Sequence, residues 1–265
     1  MMRVLVVGDS CQDVFVYGDI TRISPEAPIP VFVPTHTEKN DGMARNVSHN
    51  VESLEMHITT LTNKNGIVKK RYVENRSGQM VLRVDEHDYC DRIDEKLLHQ
   101  IKDNNCKPIF SGSTDIDAII ISDYCKGYLE EEDIQWICQN NDNVFVDTKK
   151  QIGTWIQDAD FIKINELEYR KNHDLLSEQG FEDKLIVTLG SKGCRYKNKE
   201  YSVSEVPIRD VSGAGDTFLA GLVRGYLDTK NIESAINFAQ RCTTIVVQKH
   251  GVATVELKEI NEIIE

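Results

Sequence analysis

The sequence predicts an α/β protein: a mostly parallel sheet flanked by helices, with a small β lid. Three observations predict it. From Asp94 onward, helical patterns alternate with short apolar, β-branched runs, the order produced by crossover units in a parallel sheet. Those runs, at 118–122, 144–147, 161–164 and 185–189, are mostly apolar along their length, as strands covered on both faces must be. Polar residues gather just after them, at 122–127, 147–149 and 165–168, where open parallel sheets bind ligands.

Residues 3–8, Arg-Val-Leu-Val-Val-Gly, read as the first core strand, and residues 1–8 are too short an apolar run for a signal peptide. A polar loop, 9–13, follows at the strand's carboxyl end, and Asp13 either caps a turn there or faces a ligand. The β-prone pieces 14–17 and 29–33 are separated by Arg22-Ile-Ser-Pro-Glu-Ala-Pro-Ile-Pro30, where three prolines in six residues exclude a helix and predict an extended excursion. Asp41-Gly-Met-Ala-Arg-Asn46 leads into a helix ending near Leu54, with Val47, Val51 and Leu54 at helical spacing. Gly42 permits close backbone approach to a ligand, and Asn46 can donate and accept hydrogen bonds to a polyol; an ordinary capped helix explains them equally well.

A strand at 57–61 and a hairpin of 68–74 with 80–85 come next. Lys69, Lys70, Arg71 and Arg83 make the hairpin basic, which suits either a charge-protected edge or a sugar-phosphate contact. The lid strands fall at about 14–36 and 68–86. Helices are expected at 94–104, 130–140 and 151–157, each before a strand, and a hairpin at 194–205 after Gly190-Ser-Lys-Gly193. No repeat, low-complexity tract or linker interrupts the chain, so 265 residues with 40% hydrophobic content form one domain, 1–265.

The segment Asp210-Val-Ser-Gly-Ala-Gly-Asp216 precedes a long helix whose apolar face carries Phe218, Leu219, Leu222, Val223 and Tyr226. Gly213, Ala214 and Gly215 leave amides unobstructed at a helix start, which attracts an anion. A carboxylate beside that hole repels a resting phosphate, but it is well placed to take a proton from a hydroxyl attacking a phosphoryl group. Asp216 is thus the candidate base of a phosphoryl transfer. The same residues are also ordinary capping chemistry.

Several classes are disfavoured. A net charge of −12 argues against a nucleic-acid or anionic-membrane binder. Seven scattered cysteines without a Cys-x-x-Cys pair read as reduced thiols rather than a disulfide frame or zinc site, and no long apolar span is present, so the expected location is the cytoplasm. There is no Gly-x-x-x-x-Gly-Lys-Ser/Thr, no third glycine after Gly213 and Gly215 at dinucleotide spacing, no Gly-x-Ser-x-Gly elbow and no His-Glu-x-x-His.

The Asp210–Asp216 segment resembles the carboxyl-terminal signature of the ribokinase-like (PfkB) family of sugar kinases. Arg22 to Val31, Lys70-Arg-Tyr-Val73, Val81-Leu-Arg-Val-Asp85, Ser122-Asp-Tyr-Cys-Lys-Gly127 and Val246-Val-Gln-Lys-His-Gly251 are similar to its D-glycero-β-D-manno-heptose 7-phosphate kinase branch. The similarity runs from residue 3 to about 255. It implies a Rossmann-like body with a β lid over the sugar, shared in a homodimer, and ATP, Mg²⁺ and K⁺ as cofactors. It also implies roles: Asp216 as base, Gly213, Ala214 and Gly215 stabilising the transferred phosphoryl group, and Asp13, Gly42 and Asn46 on sugar hydroxyls. Asn165, Glu166, Leu167 and Glu168 would stand at the nucleotide, with Glu168 reaching Mg²⁺ through water. Thr188, Gly190, Ser191 and Gly193 would line the nucleotide, and Asp210 would serve a monovalent-cation site. Lys126 and Arg71 are the basic residues expected at the sugar phosphate.

Two departures from the family accompany the resemblance. Asp41 replaces a glycine at the sugar-facing turn, and 61–68 is short by about a helix and a strand, which predicts a narrower sheet. A kinase for another sugar phosphate or nucleoside, and a non-catalytic sugar-nucleotide binder, are the competing readings.

Overall fold

The computed structural model describes residues 2–104, 115–178 and 180–261; Cys106 lies outside them, and the other six cysteines are free thiols. β1 (Arg3–Gly8) runs through Asp9 directly into β2 (Ser10–Ile23), which turns at 24–29 into β3 (Pro30–Met43). α1 (Ala44–Ser53) returns the chain to β4 (His57–Thr62), and β5 (Ile67–Glu74) pairs with β6 (Met80–Glu86). There follow α2 (Glu95–Leu98), β7 (Ala118–Asp123), α3 (Glu131–Asn140), β8 (Val144–Thr148), β9 (Phe161–Asn165), α4 (Glu166–Lys171) and α5 (His173–Glu178). β10 (Leu185–Thr188), β11 (Cys194–Tyr196) and β12 (Lys199–Tyr201) lead to α6 (Ala214–Thr229), α7 (Ile232–Val246) and α8 (Leu257–Asn261).

Eight strands form the main sheet in the order β12-β11-β10-β9-β8-β7-β1-β4, parallel except for the two pairings of β11. Strand alternation divides its core. Val4, Val6, Ile120 and Phe145 face α1, α6 and α7, while Leu5, Val7, Ile121 and Val146 face the side covered by α3. Both layers are fully buried, which explains why these strands read as apolar runs. The second sheet, β3-β2-β5-β6, is the lid. The main sheet ends at β4, where Asn63 of the shortened segment accepts from Ser10 N at 2.6 Å and donates to Ser10 O at 3.1 Å.

Three expectations are corrected. Residues 10–13 are strand rather than loop, because they ladder with both β3 and β5. The helix expected at 94–104 stops at Leu98: Asp103 N and Asn104 N bond instead to Asn140 O and Asn141 Oδ1 at the C-terminal end of α3, at 2.8 and 2.9 Å. The helix expected at 151–157 is one 3-10 turn, Thr154–Ile156, preceded by Gly153 and containing β-branched residues that favour helix weakly.

Candidate active site

α6 begins at Gly213, whose φ of 78° lies in the left-handed region. A side chain there would also crowd the Asn46 amide nitrogen, 2.8 Å from the Cβ position. Ala214 N is taken by Val211 O at 3.2 Å, whereas the amides of Gly213 and Gly215 have no acceptor among the described residues. Of the three amides expected to meet an anion, two are therefore available among the described residues.

Asp216, in the first turn, is buried. Asn46 Nδ2 donates to its Oδ2 at 2.6 Å and the Tyr124 hydroxyl to its Oδ1 at 2.9 Å. Burial raises its pKa, and the donors and nearby Lys163 offset that only in part. A carboxylate poised upward in this way suits a general base. Both donors are themselves fixed. Asn50, which accepts from Thr217 at 2.7 Å, donates to Asn46 O at 2.8 Å. Asp9 at the end of β1 accepts from the backbone N–H groups of Tyr124 (2.6 Å), Lys126 (3.2 Å) and Tyr128 (3.1 Å), and so shapes the loop carrying Tyr124.

Strand register supplies positive charge. Phe145 lies opposite Phe161 across β8 and β9, so two residues on, Asp147 meets Lys163 on the same face, under α6. Lys163 Nζ lies 2.5 Å from Asp147 Oδ2 and 3.1 Å from the position a Gly215 Cβ would take. Lys149 Nζ bridges Asp147 Oδ1 at 3.0 Å and Glu168 Oε1 at 2.7 Å. Burial alone would raise the Asp147 pKa, yet the two ammonium groups outweigh it and hold the carboxyl below its usual range. Asn165 and Glu168 close a capping box on α4: Glu168 N donates to Asn165 Oδ1 at 2.9 Å, and Asn165 N to Glu168 Oε2 at 2.8 Å.

Two cavities meet here. One, of about 650 Å³, is lined by Asp216, Gly213, Gly215, Lys163, Lys149 and Tyr124, and reaches Asn165, Glu166, Leu167, Thr188 and Gly190. The other, of about 660 Å³, contains Ser191, Gly193 and Ala214 between Val206, Phe218 and Val247, and shares Thr188, Gly190, Val211 and Gly215 with the first. The chamber that holds Asp216, Lys163 and Lys149 thus opens beside a more apolar one.

The pfkB family carbohydrate kinase model matches residues 59–259. The chain belongs to the pfkB family. As a member it is a phosphotransferase acting on a sugar hydroxyl, with the ribokinase-like fold. It is 28% identical to the bifunctional protein HldE of Helicobacter pylori (strain J99) and 31% identical to that of a Nitratiruptor species, over 98% of the chain. The chain spans 66% and 64% of those relatives' own lengths. The first alignment runs over 311 positions, more than the chain's 265 residues, so that relative carries internal segments this chain lacks. Arabidopsis thaliana ribokinase, solved with ribose and ATP, superposes with a TM-score of 0.71 at 14% identity, covering 100% of this chain and 99% of that one. Escherichia coli phosphofructokinase-2, in complex with potassium, gives 0.71 at 15% identity over 99% and 98%.

For this pfkB chain, the remaining expected site residues fall in three further places. Asp13, Gly42 and Arg71 sit together on the lid, with Arg71 2.5 Å from Asp13 Oδ1 and Gly42 leaving no room for a Cβ beside Asp13. Lys126 pairs with Asp88 at 2.5 Å, and Asp210 accepts from Ser212 N at 2.8 Å in the loop before α6. Asp41, expected at a sugar-facing turn, is paired on the flank of α1, its oxygens 3.5 Å from Arg45 and 3.1 Å from His49. Sequence reasoning passed over Tyr124 and Lys163 as site residues. The signal for Lys163 is a lysine at the same strand parity as Phe161 in a buried run, which requires a counter-charge. Its partner becomes visible only in the register.

Proposed function

We propose that this kinase transfers the γ-phosphoryl group of ATP to the anomeric hydroxyl of D-glycero-β-D-manno-heptose 7-phosphate, giving the 1,7-bisphosphate. The observation that carries the reading is the Asp216 carboxylate beside a buried lysine and two amides with no acceptor among the described residues, in the first cavity, which Gly215 joins to the second. Asp216 takes the hydroxyl proton, the sugar oxygen bonds to the γ-phosphorus, and the bond to the ADP oxygen breaks. Phosphoryl transfer needs mainly positioning and charge neutralisation. The Gly213 and Gly215 amides and Lys163 supply the second, with Ala214 as part of the same turn.

The heptose substrate is supported by HldE similarity along nearly the whole chain and by the lid motifs from Arg22 to Val31 and Lys70 to Val73. Asp13, Gly42 and Asn46 are assigned to sugar hydroxyls, and Arg71 and Lys126 to the 7-phosphate. Thr188, Gly190, Ser191 and Gly193 are assigned to the nucleotide. Among the described residues, no three His, Cys, Asp or Glu side chains converge as a metal cage. Mg²⁺ is assigned to the nucleotide phosphates and water, near Asn165 and Glu168. Asp210 is assigned to K⁺. Ile23, Val33, Met80 and Leu82, each more than half exposed on the lid, favour a homodimer joined there. Free cysteines favour a reducing compartment, the cytoplasm.

The test is ADP release with ATP and Mg²⁺ across a panel of sugars, sugar phosphates and nucleosides. Turnover highest with the heptose 7-phosphate is expected. Preference for another acceptor would move the substrate within the family, and binding of both substrates with no product would overturn the catalytic reading.

A further inference from the structure

Two lysines are buried among the described residues, Lys163 and Lys69. Lys163 is neutralised by Asp147, whereas Lys69 has no carboxylate within 4.0 Å among the described residues. The lid register makes this unexpected. Lys69 lies opposite Asp13 of β2 on one side and Asp85 of β6 on the other, three residues in one row on one face. Both carboxylates are taken by the arginines of the next row: Arg71 holds Asp13 at 2.5 Å, and Arg83 clamps Asp85 with two bonds of 2.7 and 2.8 Å. Guanidinium forks hold carboxylates better than an ammonium can, so the lysine is left over.

The ammonium of Lys69 turns toward the body of the molecule. Among the described residues its neighbours are Met43 Sδ at 3.3 Å and the Tyr124 ring, 5.7 Å to the centroid. A thioether and a ring face compensate little of the hydration a buried ammonium gives up. Tyr124 is the residue bonded to Asp216, and the ammonium of Lys149, already shared by Asp147 and Glu168, approaches the same ring at 5.5 Å. The uncompensated charge therefore stands on the lid side of the catalytic base, on a face whose other charges cancel.

We propose that Lys69 is the principal receptor for a phosphate monoester on the acceptor, so that the enzyme selects phosphorylated sugars through this lysine, while Arg71 and Lys126, already paired with Asp13 and Asp88, stand at the edge of the same anion site. The proposal rests on the kinase reading above and deepens it by giving the main contact to the one lid cation of this row that its own carboxylates leave unpaired. Substrate phosphate would complete the ion pair that no carboxylate among the described residues supplies to this ammonium.

The test uses the full chain, its Lys69→Met and Lys69→Arg variants, and calorimetric titration with D-glycero-D-manno-heptose 7-phosphate, the unphosphorylated heptose, inorganic phosphate and AMP-PNP with Mg²⁺. Lys69→Met is expected to weaken the heptose phosphate roughly tenfold to a hundredfold, the loss of a charged hydrogen bond, and to abolish phosphate binding. It should leave heptose and AMP-PNP unchanged and raise Tm, because an unpaired buried charge is removed. Lys69→Arg should keep most of the affinity. A loss confined to AMP-PNP would give Lys69 to the nucleotide and overturn the proposal, as would equal losses for heptose and its phosphate with a lowered Tm. If the heptose phosphate does not bind but inorganic phosphate binds through Lys69, the heptose reading falls and the receptor stands; if no anion depends on Lys69, the receptor falls.

Discussion

The Tyr124 hydroxyl donates to Asp216 Oδ1 across 2.9 Å, tying the loop after β7 to the first turn of α6. A donor to a carboxylate favours its ionised form, and here it works against burial, which pushes the Asp216 pKa up. Tyr124→Phe keeps the ring and removes the donor. The Asp216 pKa should then rise further, so the acid limb of the kcat/KM profile moves to higher pH and turnover falls most on that side. Unchanged pH dependence would show that the bond does not tune the base.

Asp216→Asn separates catalysis from stability. Loss of the base should lower turnover by roughly 10²–10⁴-fold. Stability should move the other way. The carboxyl's folded pKa lies above its unfolded value, so the folded state is favoured while the group is protonated, and that advantage is lost as pH rises through the folded pKa. The neutral amide escapes this loss and can still bond to both Asn46 and Tyr124. Melting temperatures should show the variant more stable than wild type at neutral pH, with the difference vanishing below about pH 4, the ordinary aspartate range.

Most of the main sheet was legible because its strands are buried on both faces, which leaves apolar runs that periodicity detects. The start of α6 was equally legible, since Gly213, Gly215 and Asp216 lie within four residues of one another. Residues 10–13 were misread because a polar strand in a half-exposed lid lacks that signal, and its pairing with β5 is a long-range fact. Tyr124 and Lys163 escaped for a related reason. Each acquires its role from a partner on another element, Asp216 and Asp147, through register and packing that no local pattern encodes.

Gly213 and Gly215 should respond differently to alanine. At Gly213 the left-handed φ makes a side chain cost about 1–2 kcal/mol, and the methyl would press on the Asn46 amide that holds Asp216. Denaturant unfolding should record that loss together with reduced turnover. At Gly215 the nearest atom to a Cβ is the far end of the Lys163 side chain, 3.1 Å away, so a small shift of that ammonium admits the methyl and stability should hold while the methyl intrudes on the proposed phosphate position. Weaker ATP binding at unchanged stability is the expected result.

Asp147 and Lys163 should part company in the same way. Asp147→Asn leaves the buried Lys163 without its carboxylate while Lys149 keeps Glu168, and loss of one member of a buried pair costs about 3–5 kcal/mol. The Asp147 pKa is held low in the folded state, so its contribution is present above the ordinary carboxylate pKa and is lost as pH falls through the folded value. The deficit of the variant, measured by denaturant unfolding, should therefore be large at pH 7 and shrink in strong acid. Lys163→Met leaves Asp147 with Lys149 and should unfold less readily than Asp147→Asn. Its larger effect should be on chemistry, about 10²-fold in kcat, the scale for removing one group that meets developing charge. Its affinity for ATP should fall more than its affinity for ADP, since Lys163 and Gly215 line the same cavity where the γ-phosphate is proposed to sit. Equal losses for the two nucleotides would assign the lysine to the shared phosphates instead.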